Sequence, residues 1–461
     1  MTNQKQRSFS IYLIFPAITM LLGWGLRGYI GGGPFGAMIP GAMVALSIAM
    51  LLKLSAEATS VLVVFAAVGI GLGGEMTYGQ TLGFLRNQET VWWGTVGTTV
   101  KGAVWGLLGG IIFAIGLLYK QLSRKQIITA YIIMMAGMYA GFKLINQPML
   151  IYFSDPAKPR PESWAALLIG AIAMLVYLKF KLKSNEFKIM THMAIWGLVS
   201  GGLGFGLGGF WMVLGNQLPQ DVIFNSWWKA MEFTFGLLLG AGLGLAVWLS
   251  RKDLDVMQNS PSPEPIFASG PRWKDFSVTF LLALVIFWIM PSWLDPIVDN
   301  GYTQGSLVWP NGVDLAKMLS NFAFYGFLLI LAILYYPELA WQMGITMTFC
   351  YAAIDFMQDA LPDAAANSPF TLYFFLIFLM TASVATLTAW FQRRENSQRN
   401  LFLLLVWACM VVAFLRLGFF EKPSDVAGLS FVKLVVGKFF VHLVFAASAI
   451  YVSWVSLRKI T

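Results

Sequence analysis

Charge, histidine and cysteine are all scarce in this sequence. Lys, Arg, Asp and Glu make up 11% of the residues, and there are two histidines and two cysteines. A soluble globular chain carries about 25% charged residues, so a soluble multi-domain protein is excluded. His192 and His442 lie far apart, and Cys350 and Cys409 sit in apolar segments. No Cys/His/Asp cluster has ligand spacing, so neither a metal site nor a disulfide framework is expected. No G-x-S-x-G elbow and no H-E-x-x-H helix is present, which removes two common catalytic motifs. Nothing in the sequence asks for a cofactor. The net charge is +9, but the basic residues are spread over short loops and form no patch, which argues against a nucleic-acid partner.

Apolar residues are abundant instead, at 58%, together with 45 glycines and 18 tryptophans. Membrane helices tolerate glycine and place tryptophan at the interfaces. A helical span needs about 20 apolar residues. About fourteen segments qualify: 9–29, 34–53, 57–82, 91–119, 126–150, 163–182, 187–215, 227–250, 274–294, 313–336, 337–357, 369–391, 399–418 and 430–456. The expected fold is therefore an all-α polytopic membrane protein. Lys5 and Arg7 precede the first apolar run as in a signal peptide, but no small-x-small cleavage site follows, so 9–29 reads as a retained helix.

Basic residues set orientation. With the N-terminus inside, alternate loops place Lys5, Arg7, Lys53, Lys120, Arg124, Lys125, Lys179, Lys181, Lys183, Lys188, Arg251, Lys252, Arg272, Lys274, Arg393, Arg394, Arg399, Arg458 and Lys459 on the inner side. Only Arg27, Arg86, Lys158, Arg160 and Lys422 fall outside. Both termini are expected in the cytoplasm of a bacterial cell, with the chain multi-pass in the inner membrane. Residues 251–274 are polar and rich in Pro and Ser, as in a cytoplasmic linker. They divide an eight-span domain, 1–250, from a six-span domain, 275–461.

The N-terminal domain shows an internal repeat. "GIGLGG" at 69–74 recurs as "GFGLGG" at 204–209, and at that same offset of 135 Trp92-Trp93 becomes Trp227-Trp228. The copies would be about 9–120 and 126–250, each of four helices. An even number of spans returns the chain to one face, so the copies are parallel. These glycines also spell G-x-G-x-x-G, but a dinucleotide fingerprint needs a strand before it. Gly69-xxx-Gly73 and Gly204-xxx-Gly208 fit close helix packing better.

The stretch "GWGLRGYIGGGPFGAMIPG", residues 23–41, breaks an apolar run and leaves Arg27 at the break. Irregular backbone at membrane depth survives only where protein or water covers it. A charge at mid-bilayer costs roughly 2.5–3.5 kcal/mol even on insertion scales. Arg27, Glu75 and Lys101 are therefore expected in one polar hollow between the copies. Tyr78, Gln80, Lys143, Asn146, Asn216, Gln217, Lys229 and Glu232 are further candidates for binding a substrate there. Lys229 and Glu232 also read as a plain i,i+3 surface pair. Glu75 is a candidate for proton coupling. So are Asp355 and Asp359, which share a helix face and otherwise read as a solvated helix end. The tryptophans and tyrosines near the outer ends either stack on a sugar ring or form an interfacial belt.

Repeats, broken spans and polar groups at depth point to a secondary active transporter. The excess of Lys and Arg among the membrane charges suits an anionic small-molecule substrate, such as a sugar acid or other carboxylate. The alternatives are a membrane-embedded transferase with an outward-facing polar site and a subunit of a larger membrane complex. Membrane lipids are the other expected partner, and the sequence leaves oligomeric state open.

Overall fold

The computed structural model of the chain describes residues 8–76, 78–154, 162–218, 224, 226–258, 319–335, 396–420 and 430–458, with short pieces between 277 and 294 and between 379 and 391. Every regular element among the described residues is helical. The chain is an all-α polytopic membrane protein. Nine of the described helices are long and apolar enough to cross a membrane. Of the expected spans, 337–357 lies outside the described residues, and 274–294 and 369–391 are described only in pieces.

The helices that build the site are α1 (Phe9–Ile30), α2 (Gly33–Leu52), α3 (Ala56–Gly73), α4 (Gly79–Phe84), α5 (Val91–Leu117), α6 (Arg124–Gly141), α7 (Trp164–Lys179), α8 (Ser184–Gln217) and α9 (Trp227–Gln258). Later in the chain come α10 (Phe322–Tyr335), α11 (Ser397–Phe420) and α12 (Phe440–Leu457). Local chemistry sets several boundaries. The Ser55 hydroxyl accepts from Ala58 N at 3.1 Å and starts α3. Ser123 and Gln126 cap one another's backbone at the start of α6. Such caps satisfy amides that the first turn leaves without a partner. The third expected span, 57–82, ends instead at Gly73; three glycines in 69–73 weaken the helix and a turn follows. The fifth gives way to a π-helical turn at Phe142–Asn146. α9 runs to Gln258, so 251–258, expected in the linker, are helical; residues 259–274 lie outside the described set.

Six helices close a ring in the order α1, α2, α3, α5, α8, α9 and back to α1. It consists of three antiparallel hairpins, α1–α2, α3–α5 and α8–α9. α6 and α7 pair with each other outside the ring, with α7 against α5. The expected copies, 9–120 and 126–250, therefore occupy different places: α1 and α2 are ring members, whereas α6 and α7 are not. α10 packs on α3, α11 on α1 and α2, and α12 on α1.

Small residues make the ring possible. On α5, a Cβ added at Gly102, Gly106 or Gly110 would run into the backbone carbonyls of Gly201, Gly197 and Met193 on α8. On α9, Gly236, Gly240 and Gly244 meet the carbonyls of Met20, Pro16 and Tyr12 on α1 in the same way. On α2, Ala37, Gly41, Ala45 and Ala49 repeat the spacing, and a Cβ at Gly41 would stand 2.6 Å from the Ala66 carbonyl of α3. The return helix of each hairpin thus lays a small-xxx-small stripe on the outgoing helix of the next. In lipid this close approach supplies the van der Waals contact that holds helices together.

Candidate functional site

Aromatic rings fill the middle of the ring of helices. Trp24 of α1 meets Trp105 of α5 at 4.9 Å, although these two helices are not neighbours in the ring. Phe205 of α8 stacks on Phe235 of α9 at 3.8 Å, and Phe235 lies 4.4 Å from Trp24. Trp105 is fixed from below by its indole N–H, which donates to the Ile70 carbonyl at 2.7 Å. Gly73 leaves the space that this indole occupies.

Arg27 rests on this floor. Its guanidinium carbon stands 4.8 Å from the Trp24 ring centre, 5.7 Å from Trp105 and 6.0 Å from Tyr78. The glycine break wraps its head: one amino group donates to Gly33 O at 3.3 Å and the other to the Tyr78 hydroxyl at 3.4 Å. Gly33 adopts φ +64, a left-handed conformation that glycine takes without a Cβ clash. The residue is 2% exposed, its Nε has no hydrogen-bond partner, and no carboxylate among the described residues forms an ion pair with it. Among the described residues, two long hydrogen bonds and aromatic faces are what hold this guanidinium, and burial of a cation is costly without an opposite charge.

Beside it, Lys229 and Glu232 form an ion pair at 2.5 Å at the start of α9. Lys229 also donates to Gly25 O at 3.3 Å and sits over the Tyr29 ring at 4.2 Å. Glu232 accepts from the Trp228 indole at 3.0 Å, and Trp228 stacks on Tyr78. The pair fits against α1 because residue 28 is glycine; a Cβ there would collide with the Lys229 ammonium. Of the residues singled out in the sequence, the structure brings together Arg27, Tyr78, Lys229 and Glu232.

Glu75 and Lys101 go elsewhere. The Glu75 carboxylate accepts from Phe322 N at 2.7 Å and from the Asn321 side-chain amide at 2.9 Å, so it caps α10. An anion suits that end of a helix dipole. Glu75→Gln is expected to cost about 1 kcal/mol of stability; the thermal midpoint of purified protein measures it. Lys101 is 1% exposed and pairs with Glu162 at 2.6 Å, while its ammonium also donates to the Thr81 hydroxyl at 2.8 Å. Glu162 was not among the sequence candidates. Its other contacts are Phe153 N at 3.0 Å and the Ser154 hydroxyl at 2.8 Å. This cluster folds the segment after α6 onto α4 and α5, and Thr81 adds a bond to Phe153 O at 2.7 Å.

The remaining candidates are dispersed. Asn146 accepts from Ala166 N at 2.9 Å and joins the end of α6 to α7. Lys143 stands 5.9 Å from the Tyr139 ring in that same π-helical turn. Asn216 and Gln217 are exposed, and the Asn216 amide donates to Arg86 O. Gln80 lies on α4. Asp355 and Asp359 lie outside the described residues.

One signal in the sequence went unread. "GWGLRG" at 23–28 has the same G-x-G-L-x-G frame as "GIGLGG" at 69–74 and "GFGLGG" at 204–209. Each marks the outgoing helix of one ring hairpin. At the fifth position α3 and α8 carry Gly73 and Gly208, whereas α1 carries Arg27. The fold thus admits glycine at this place, and the cation on α1 is an addition to the shared frame. Comparison with family models, with curated proteins and with solved structures finds no match to this chain.

Proposed function

We propose that this chain is a secondary active transporter of a small anion across the cytoplasmic membrane, with both termini inside and Arg27 as the substrate-binding charge. The supporting observation is a buried guanidinium, set one turn before the glycine break that ends α1, with no ion-pair partner among the described residues. Arg27 offers a planar fork of donors that matches a carboxylate. Exposed Gly28 and Gly32 and half-buried Tyr78, Trp228 and Lys229 lie at the hairpin-turn end of the ring and form its approach. The aromatic floor of Trp24, Trp105, Phe205 and Phe235 closes the other direction, as alternating access from two sides requires of one state.

The test is uptake into proteoliposomes under an imposed pH gradient, using labelled glucuronate, succinate and methanesulfonate. At least one should accumulate above empty vesicles. Arg27→Ala should bring that uptake down to the empty-vesicle level while the protein remains monodisperse, and Arg27→Lys should restore only a fraction of it. Full uptake by Arg27→Ala overturns the assignment.

A further inference from the structure

We propose, resting on the transport reading above, that Glu75 carries the coupling proton and acts on Arg27 through the backbone that joins α3 to α4.

The first ground is which acid can take a proton without stranding a cation. Three acids with traced partners lie at the hairpin-turn end of the ring. Glu162 pairs with Lys101 and Glu232 with Lys229, so a proton on either leaves an enclosed ammonium without its counter-charge. Glu75 has no ion-pair partner among the described residues. Its carboxylate meets two neutral donors, Phe322 N at 2.7 Å and the Asn321 amide at 2.9 Å. The Asn321 oxygen accepts from Ala323 N at 2.9 Å, which turns the amide nitrogen toward Glu75. A proton on Glu75 therefore exchanges charge-assisted bonds for weaker neutral ones, and α10 loosens from the end of α3. The elements packed on this junction bring no further charge to it. α2 and α10 contain no charged residue. Ser163, whose hydroxyl donates to the Glu75 carbonyl at 2.8 Å, follows the Glu162 that Lys101 already holds. The nearby titratable groups are Tyr78, on the same connection, and Tyr325 of α10, 6.0 Å from the Phe35 ring.

The second ground is the path from Glu75 to Arg27. Gly33 O and the Tyr78 hydroxyl hold the guanidinium head. Gly74, the residue before Glu75, lies directly against the first of them: a Cβ there would stand 2.5 Å from Pro34 Cα and 2.6 Å from Gly33 O. Tyr78 comes three residues after Glu75. From the other side, the Phe322 ring fills the place that a side chain at Gly71 would need and meets Phe35 of α2 edge-on at 5.2 Å. Docking of α10 on Glu75 thus fixes the backbone against which both partners of Arg27 are set. A neutral Glu75 relaxes that backbone and frees the guanidinium head for the anion. Proton and anion then favour each other's binding, as linkage requires. Glu75 takes its proton from the outer side as the anion enters and gives it up inside.

Two measurements on the full chain test this. Glu75→Gln holds the position neutral at the small cost in stability given above. In proteoliposomes, the probe is whichever of glucuronate, succinate and methanesulfonate the parent chain accumulates. Accumulation driven by a pH gradient should fall about tenfold or more in the variant, while exchange of labelled for unlabelled anion without a gradient persists to within about threefold. Accumulation equal to the parent's overturns the proton role. Loss of exchange together with accumulation overturns it as well, because a residue that only shapes the site behaves so. The second measurement needs no transport. Hydrogen exchange, corrected for intrinsic rates, should show the peptide over residues 31–38 losing protection about fivefold between about pH 8 and about pH 5.5 in the parent chain, and no such change in Glu75→Gln. A parent peptide indifferent to pH overturns the path from Glu75 to Arg27. A pH response in a chain that accumulates none of the three anions leaves the path standing and overturns the transport reading, and the coupling role with it.

Discussion

Gly106→Leu is expected to abolish recovery of folded protein. The reason is where the glycine sits. Gly106 is the middle member of the stripe by which α5 crosses α8, and a Cβ there would meet the Gly197 carbonyl and its carbonyl carbon. The obstacle is backbone, which has no rotamer to escape into. Gly197 faces it reciprocally, its own Cβ position blocked by the Gly106 carbonyl. Relief therefore requires the helices to move apart, and with them the contacts of Gly102 and Gly110 one turn away on each side. Overpacking of a core that can adjust costs about 1–3 kcal/mol. Here adjustment means opening a closed ring, so a loss above ~3 kcal/mol is expected. Gly83 is the control. It lies on α4 with nothing within 4 Å of its Cβ position, so Gly83→Ala should leave stability unchanged or raise it by up to ~1 kcal/mol through helix propensity. Size-exclusion profiles and thermal midpoints of the two variants, side by side, separate a packing requirement from a general intolerance of substitution at glycine.

The same stripe shows what was legible from residues alone. Low charge, long apolar runs and abundant glycine identify a polytopic helical membrane protein, and the described helices fall where those runs lie. The packing role of Gly69 and Gly73 was legible from four-residue spacing and from the lack of a strand before them. The ring order was not. Spacing tells that a helix has a close-packed face; it does not tell which helix meets it. α2, α5 and α9 carry similar stripes, and only tertiary assembly assigns α5 to α8 and α9 to α1. The hairpin frame in α1 was hidden for a related reason: its one informative departure, Arg27 in place of glycine, lowers similarity at the position that matters most.

The charges illustrate a different limit. Burial of Arg27 and Lys101 was legible, because hydrocarbon raises the cost of any lone charge. Their partners were not. That cost says only that something must offset it, and the offset for Lys101 comes from Glu162, 61 residues along the chain. Glu162 is in a polar connecting segment whose composition gives no hint that it folds inward. Glu75 was legible as a buried acid but not as the cap of α10, since that contact spans more than half of the chain. Arg27 keeps the feature that the sequence flagged: it is beside the break, it is enclosed, and no acid among the described residues pairs with it.

Removing one member of the Lys101–Glu162 pair is expected to be among the most damaging single changes in the molecule. Both side chains are shut away from water, at 1% and 0% exposure, and 2.6 Å apart. Lys101→Met leaves the Glu162 carboxylate buried beside Phe153 N and the Ser154 hydroxyl with its negative charge unanswered. Glu162→Gln takes the carboxylate away from the buried Lys101 ammonium, whose bond to the Thr81 hydroxyl is neutral. Each single change should cost about 3–5 kcal/mol, the usual penalty for stranding one half of a buried pair. The double variant, Lys101→Met with Glu162→Gln, removes both charges, while the glutamine oxygen continues to accept from Phe153 N. It should recover most of the loss, because two charges taken out of a low-dielectric site return their desolvation cost. Thermal midpoints of the four proteins form a double-mutant cycle, and a coupling near zero would show that the pair does not act as a unit. The cycle also reports on the anion site indirectly. The pair holds the segment after α6 onto α4, and α4 begins one residue after Tyr78. If the clasp only anchors that segment, anion uptake by the double variant should match the parent chain; a drop of about tenfold or more would mean that the clasp also sets the position of Tyr78 against Arg27.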